Sequence, residues 1–265
     1  MQSEPTIQDL FSLSGKTALI SGGSGWLGGA MARGLAEAGA RVIVSSRDAG
    51  RATAAAAALP PVATGSHGGV VIDHLVPASI EAGFDEAVKQ AGQIDILVNN
   101  AHAGDAHDWS NASAEDFNAV LANASGWFLL ARRLREHVVA RGATGSVINI
   151  GSMYGQVASY PDAYADLVPA SPVSYHTLKG GILHMTRHLA VYWAADRVRV
   201  NCLSPAPFPG PSANRGMVAR LEKKSPMGRM GSPHELKGAL VFLASEASSY
   251  VTGQNLTVDG GWTAW

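Results

Sequence analysis

Tyr175 and Lys179 stand four residues apart in Tyr175-His176-Thr177-Leu178-Lys179, a spacing that puts a phenol and an amine on one face of a helix. Alone, the pair fits an ordinary solvated contact as well as a reactive one. Ser152 precedes Tyr175 by 23 positions and follows an apolar run. A second chemical feature lies near the start of the chain, where Ser21-Gly22-Gly23-Ser24-Gly25-Trp26-Leu27-Gly28 separates an apolar run from an Ala-rich one. Such a turn between a strand and a helix lets backbone N–H groups and a helix N-terminus approach a pyrophosphate closely. A tight turn without a ligand is the plain alternative.

Further along, about 20 residues past the glycines, an acid would suit the ribose 2′-OH of NAD. This chain has Ser45-Ser46-Arg47 there. A guanidinium beside a hydroxyl suits a 2′-phosphate, because Arg donates two parallel charged hydrogen bonds. NADP(H) is therefore expected in preference to NAD(H), although Arg47 also fits an exposed charge at a helix start with Asp48 as its N-cap. Asp73, in Val71-Ile72-Asp73-His74-Leu75, stands where a carboxylate would accept from an adenine amino group or cap a turn. Asn99-Asn100-Ala101 fits the lining of an adenosine pocket or an Asx-turn.

The elements that must position these residues follow from the apolar pattern. Strands are expected at Thr17 to Ile20, Arg41 to Val44, Val70 to Ile72, Ile94 to Val98, Ser146 to Ile150, Val198 to Leu203 and Asn255 to Val258. Their continuous apolar character suits strands covered on both faces. Helical stretches at about 25–38, 48–58, 79–91, 113–141, 172–195 and 233–245 alternate with them, the signature of an α/β fold with a parallel sheet. Asp48, Ser79 and Ser113 read as N-caps, and Gly39, Gly92 and Gly142 as helix stops. Proline-bearing segments at 153–173 and 204–232 read as loops beyond the carboxyl ends of the fifth and sixth strands, where ligands bind in open sheets. Residues 1–14 are read as an extension and 15–265 as one dinucleotide-binding and catalytic domain.

Composition narrows the partners. With 20 Lys+Arg against 21 Asp+Glu, the chain lacks the basic footprint of a nucleic-acid binder. The single cysteine, Cys202, excludes a disulfide framework and a Cys-based zinc site, and no metal is expected. The first 14 residues lack a signal peptide's charged start, and no apolar run reaches the ~18 residues of a membrane span. A cytoplasmic protein is expected.

Taken together, the Gly-rich turn, Asp73, Asn99-Asn100-Ala101, Asn123, Ser152, Tyr175 with Lys179, and the ending Val258-Asp259-Gly260-Gly261 resemble the short-chain dehydrogenase/reductase family. The likeness runs from about Leu13 to Trp262. The Phe11-Ser12-Leu13-Ser14-Gly15-Lys16 start and Trp-bearing tail resemble gluconate 5-dehydrogenase-like members. The resemblance implies a Rossmann-type, doubly wound, mainly seven-stranded parallel sheet with helices on both faces. It also implies reversible hydride transfer between NADP(H) and a small polar ketone or secondary alcohol, a sugar acid or polyol among them. Tyr175 would be the general acid or base and Ser152 would hold the carbonyl oxygen. Asn123 would hold a water that relays protons to Lys179, which would also hold the nicotinamide ribose. Free phenol titrates near ~10, and a cationic Lys179 at ~4–5 Å would lower that by about 3 units, roughly 4 kcal/mol at an effective dielectric of ~20.

Cofactor contacts are expected from Ser21, Gly22, Ser24, Trp26, Leu27 and Gly28 of the turn. Others are expected from Ser46, Arg47, Asp73, His74, Asn100 and Ala101, and from Tyr175, Lys179, Pro205 and the main chain of Phe208. A homodimer or homotetramer built on the long helices is implied as well.

Three features depart from the family pattern. Trp26 stands where compact members commonly carry a third glycine, so the spacing Gly22, Gly25, Gly28 is that of the longer members, many of which act on nucleotide sugars. His102 replaces the glycine that usually follows Asn-Asn-Ala. The loop between Ser152 and Tyr175 is about ten residues longer than usual and brings Tyr154, Tyr160 and Tyr164. These departures keep two alternatives open: a nucleotide-sugar epimerase or dehydratase with bound NAD, and a non-catalytic dinucleotide-binding regulator. His107, Arg215, Lys223 and Arg229 are candidates to meet an acidic substrate, although each also fits a plain surface charge.

Overall fold

Alternate residues of the central strands enter two separate cores, which is why each strand is apolar without interruption. In the computed structural model, which describes residues 4–104 and 107–264, the strands are β1 (Thr17–Ser21), β2 (Arg41–Ser46), β3 (Gly68–Val71), β4 (Ile96–Asn99), β5 (Gly145–Ile150), β6 (Val198–Pro205) and β7 (Asn255–Val258). The helices are α1 (Ile7–Phe11), α2 (Trp26–Glu37), α3 (Ala49–Ala57), α4 (Pro77–Ala91), α5 (Ala114–Ala140), α6 (Pro161–Tyr164), α7 (Val173–Trp193), α8 (Arg215–Glu222) and α9 (Lys237–Ala244). Ile20, Val42 and Val44 pack with Met31 and Leu35 of α2 and Leu240 of α9. Leu19 and Ile43 pack on the opposite face with Phe84 of α4, Leu134 of α5 and Leu189 of α7.

The seven strands form one parallel sheet in the order β3-β2-β1-β4-β5-β6-β7, the expected doubly wound architecture. The order reverses at β1, so the chain leaves β1 toward one edge and β4 toward the other. This opens a crevice beyond their carboxyl ends, where open α/β sheets bind ligands.

Capping explains most boundaries. Asp48 accepts from the Arg51 N–H at 2.7 Å, and Ser113 forms a capping box with Asp116. Ser79 is not the cap expected of it. Pro77 starts α4, since its fixed φ and missing N–H suit a first helical position. The Ser79 hydroxyl instead accepts from the Asp73 N–H at 2.9 Å. Gly39, Gly92 and Gly142 follow helices with φ of 100°, 78° and 61°, left-handed values that favour glycine.

Three short helices lie in segments expected to be irregular. α8 is capped by Asn214, which accepts from the Met217 N–H at 3.0 Å, a local signal that the neighbouring prolines obscure. α6 starts on Pro161. α1 has no buried residue of its own, but its last residue, Phe11, lies 6.3 Å ring to ring from Phe242 of α9, and Leu13 just beyond it is only 1% exposed. The last expected helix is a 3-10 turn, Pro233–Leu236, followed by α9. Among the described residues no helix is long and apolar enough to cross a membrane.

Candidate active site

The Gly-rich turn is held from beneath by side chains that sequence reasoning assigned to the cofactor. The Ser21 hydroxyl donates to the Val98 carbonyl at 3.3 Å and accepts from the N–H groups of Asn100 (2.9 Å) and Ala101 (3.0 Å). The Asn100 amide donates to the carbonyls of Ser21 (3.0 Å) and Gly22 (3.1 Å). Both side chains thus shape the turn, leaving main chain to meet a ligand. A Cβ on Gly28 would overlap the Gly22 carbonyl oxygen, so the turn closes only around glycine. Gly25 caps α2 without a side-chain hydrogen bond, which leaves the first-turn N–H groups of Trp26, Leu27 and Gly28 available. An uncapped helix N-terminus behind a glycine cradle fits a dinucleotide pyrophosphate.

At the end of β2, Arg47 is exposed and makes no ion pair among the described residues, whereas Asp48 is engaged as the α3 cap. Ser46 accepts from the Asp48 N–H at 3.2 Å. Asp73 accepts from the Leu75 N–H at 3.0 Å, the turn-capping alternative.

Two sequence expectations change at the centre of the site. The carboxamide of Asn123 is fully used: its oxygen accepts from His74 Nε2 (2.7 Å) and the Ala103 N–H (2.9 Å). Its nitrogen donates to the carbonyls of Ala103 and Val120, both at 2.7 Å. A water on Asn123 therefore has only main chain to rest on. His74, 3% exposed, turns its imidazole inward to this bond, and burial lowers its pKa and keeps it neutral. The bond assigns the Nε2–H tautomer. Local sequence carries no signal for this pairing.

Beyond β5 and at the start of α7, Ser152 and Tyr175 line one cavity, and the Ser152 hydroxyl accepts from the Tyr154 N–H at 3.1 Å. Lys179, 4% exposed, donates to the Ile150 carbonyl at 2.6 Å, and its ammonium lies 4.7 Å from the centroid of Trp127 and 5.5 Å from that of Tyr175. Trp127 is itself fixed, donating to the Ala101 carbonyl at 2.8 Å. The expected downward pull of Lys179 on the Tyr175 phenol is not the dominant effect. Burial pushes Tyr175 up, opposed by the nearby Ser152 hydroxyl. Burial also brings Lys179 down, from 10.5 to about 8, so it remains mostly charged at neutral pH.

This burial has a measurable cost. Between about pH 8 and pH 10.5 the unfolded chain binds the Lys179 proton and the folded one does not, so stability rises with pH across that window. The difference corresponds to about 3 kcal/mol. Lys179→Met should accordingly unfold at higher denaturant than the parent at neutral pH, with the gap closing toward pH ~10.5. Equal midpoints at neutral pH would contradict the account.

The three departures from pattern find places. The Trp26 indole donates to the Phe208 carbonyl at 3.2 Å and packs beside Gly210, joining the Gly-rich turn to the loop after β6. Of the Phe208 main chain, expected to contact the cofactor, the carbonyl is thereby engaged. Pro205 ends β6. His102 meets Tyr175 edge-on, ring centroids 5.5 Å apart. Its pKa falls to about 4, chiefly by burial and then by the Lys179 charge, so the ring is neutral. Residues 153–173 bring Tyr154 and Tyr164 over a cavity of about 260 Å³ that Ser152 and Tyr175 also line. Beneath that loop Trp262 packs with Tyr160, Met153, Ala163 and Leu221, and Asp259 pins the tail by accepting from Gly261 and Thr263. A cavity of about 600 Å³ at the opposite end of the sheet, between Gly145, Val198 and Tyr250, touches none of this chemistry.

A glycine cradle at the β1/β4 crevice, facing a Ser–Tyr–Lys set, defines a dinucleotide-dependent oxidoreductase of the doubly wound class. The family described as Enoyl-(Acyl carrier protein) reductase matches residues 24–263. A galactitol 2-dehydrogenase (L-tagatose-forming) of Cereibacter sphaeroides is 35% identical, over 97% of this chain and 98% of that one. A short-chain type dehydrogenase/reductase from Mycobacterium marinum superposes with a TM-score of 0.88 at 34% identity, covering 98% of this chain and 100% of that one. A gluconate 5-dehydrogenase from Burkholderia cenocepacia J2315, in complex with NADP and tartrate, superposes with a TM-score of 0.86 at 32% identity, covering 97% of this chain and 99% of that one. The chain belongs to the short-chain dehydrogenase/reductase family and is an oxidoreductase acting between a hydroxyl carbon and a carbonyl.

Proposed function

We propose that the chain moves hydride reversibly between NADP(H) and a small polar ketone or secondary alcohol of the sugar-derived class. The observation that carries this reading is the meeting of Ser152 and Tyr175 in the wall of the 260 Å³ cavity, with Lys179 buried behind them. The nicotinamide, when bound, supplies the hydride chemistry. Tyr175 gives a proton to the carbonyl oxygen in reduction and takes it from the hydroxyl in oxidation, while Ser152 holds that oxygen. Lys179 orients the ribose and feeds protons to Tyr175, and the Asn123 main chain, braced by His74, holds the relay water. Gly22, Ser24 and the first N–H groups of α2 receive the pyrophosphate, with Asp73 and Ala101 toward the adenosine. Reduced cofactor consumed on sugar-derived ketones, and formed on the matching alcohols, would support the assignment. No turnover across such a panel would refute it.

NADP(H) is favoured by the unpaired Arg47 beside Ser46 and by the engagement of Asp48 in capping. Arg47→Ala should weaken NADP(H) binding by about 10- to 100-fold and leave NAD(H) affinity nearly unchanged. Titrations of intrinsic tryptophan fluorescence with each cofactor measure this, and an unaltered preference would refute the phosphate site. The assembly is proposed to be a homodimer or homotetramer, supported by exposed Val191 and Tyr192 on α7, 76% and 69% accessible. A cytoplasmic setting is proposed as well, with which the buried Cys202 thiol is compatible.

A further inference from the structure

We propose that the cavity over Tyr175 selects an uncharged polyol, or the ketose formed from it, over a sugar acid, and that the paired hydroxyls of Tyr154 and Tyr164 grip a second hydroxyl of that substrate. This rests on the function proposed above and narrows its substrate.

The polar side chains that line the cavity are Ser152, Tyr154, Tyr164 and Tyr175, all neutral hydroxyls, and the remaining wall is apolar, with Phe208, Met217, Val218, Leu221 and Met230 prominent. Tyr154 and Tyr164 lie oxygen to oxygen at 2.7 Å. One hydrogen bridges the pair, which leaves one phenolic O–H and free lone pairs to meet an incoming hydroxyl as both donor and acceptor. Their positions are fixed. The Tyr154 ring stacks on His176 at 4.5 Å and 24°, and His176 Nε2 lies 3.0 Å from the Ser171 hydroxyl. Tyr164 ends α6, whose Ala163 is 0% exposed against Leu221 and Trp262. Burial pushes the Tyr154 phenol up, so it stays protonated.

Among the described residues no cation lines the cavity wall, and three nearby ones are turned to other partners. Arg220 donates to the carbonyls of Asp162 (3.0 Å) and Ala165 (2.6 Å), outside the cavity wall. Lys224 pairs with Asp162 at 2.6 Å. Arg229 forms a two-pronged pair with Glu235 at 2.8 and 2.7 Å. Arg215 lies exposed at the start of α8 and is absent from the cavity wall. Residues 1–3, 105–106 and 265 contain no lysine or arginine. A carboxylate seated against Met217, Val218 and Leu221 would therefore lose water without gaining a counter-charge, which disfavours it strongly. A hydroxyl exchanges one neutral hydrogen bond for another. In oxidation the carbinol carbon gives its hydride, with both electrons, to the oxidised nicotinamide, and the carbinol O–H proton passes to the Tyr175 phenolate. The products are the ketose, NADPH and one proton.

The test compares galactitol with D-gluconate as substrates of the full chain with NADP+, and L-tagatose with 5-keto-D-gluconate in reduction with NADPH. kcat/KM should favour the uncharged member by at least about 100-fold in each direction. Tyr164→Phe and Tyr154→Phe, each removing one oxygen, should lower kcat/KM for galactitol by about 10-fold or more, mainly through KM, with NADP(H) affinity as the check on folding. Equal or better use of the acids, or an unaltered KM for galactitol in both variants, would overturn this inference and leave the proposed function standing. No turnover of any of the four despite intact NADP(H) binding would overturn the proposed function itself.

Discussion

Tyr175→Phe is expected to lower kcat by about 100- to 10,000-fold in both directions while the protein folds and binds NADP(H) as before. The substitution removes one oxygen from a side chain whose ring stays in place against His102 and beside Lys179. What disappears is the hydroxyl that shares the cavity wall with Ser152 and lies nearest the buried Lys179 among the proposed proton carriers. The parent should also show a directional pH dependence. Burial raises the Tyr175 pKa, so the phenol is protonated and ready for reduction at neutral pH. Oxidation needs the phenolate, so its kcat/KM should climb with alkaline pH and that of reduction should fall over the same range. Retention of more than about a tenth of kcat in the variant would remove Tyr175 from the proposed role.

A second large effect is expected at Gly28. Its Cβ in Gly28→Ala would overlap the Gly22 carbonyl oxygen and come within 2.8 Å of Asn100 Nδ2, the amide that holds the carbonyls of Ser21 and Gly22. The contact is with backbone, so relief requires the turn itself to open. NADP(H) should bind about 100-fold more weakly, and stability should fall by about 1–3 kcal/mol, the usual range for overpacking. Gly29→Ala serves as the control, because its Cβ meets nothing nearer than the Gly23 oxygen at 3.7 Å. Alanine is the better helix former there by up to ~1 kcal/mol. Cofactor titration and thermal unfolding separate the two variants, and indistinguishable behaviour would mean the cradle tolerates a side chain.

Much of the site was legible because it obeys local rules. Gly22 and Gly28 had to be glycines in a turn between an apolar strand and a helix, and four-residue spacing on α7 placed Tyr175 above Lys179. Ser79 was misread because its type suits a cap while Pro77, two residues earlier, suits a helix start more strongly. α8 escaped notice because four prolines precede it within Ser204 to Ser212, although Asn214 carries its cap.

The amino-acid order by itself determined the alternation of seven strands with helices and the glycine turn, since periodicity, capping and turn chemistry act over a few residues. Ser152, Tyr175 and Lys179 stood out as a set only through the family resemblance. Only the tertiary structure decided what those groups are free to do. His74 takes up the Asn123 amide across 49 residues, and Trp26 occupies the Phe208 carbonyl across 182. Burial, not the Lys179 charge, governs Tyr175, and the cations near the cavity are drawn to Asp162, Ala165 and Glu235. Hydrogen-bond competition and desolvation depend on which distant groups arrive at the same place, and no local pattern encodes that meeting.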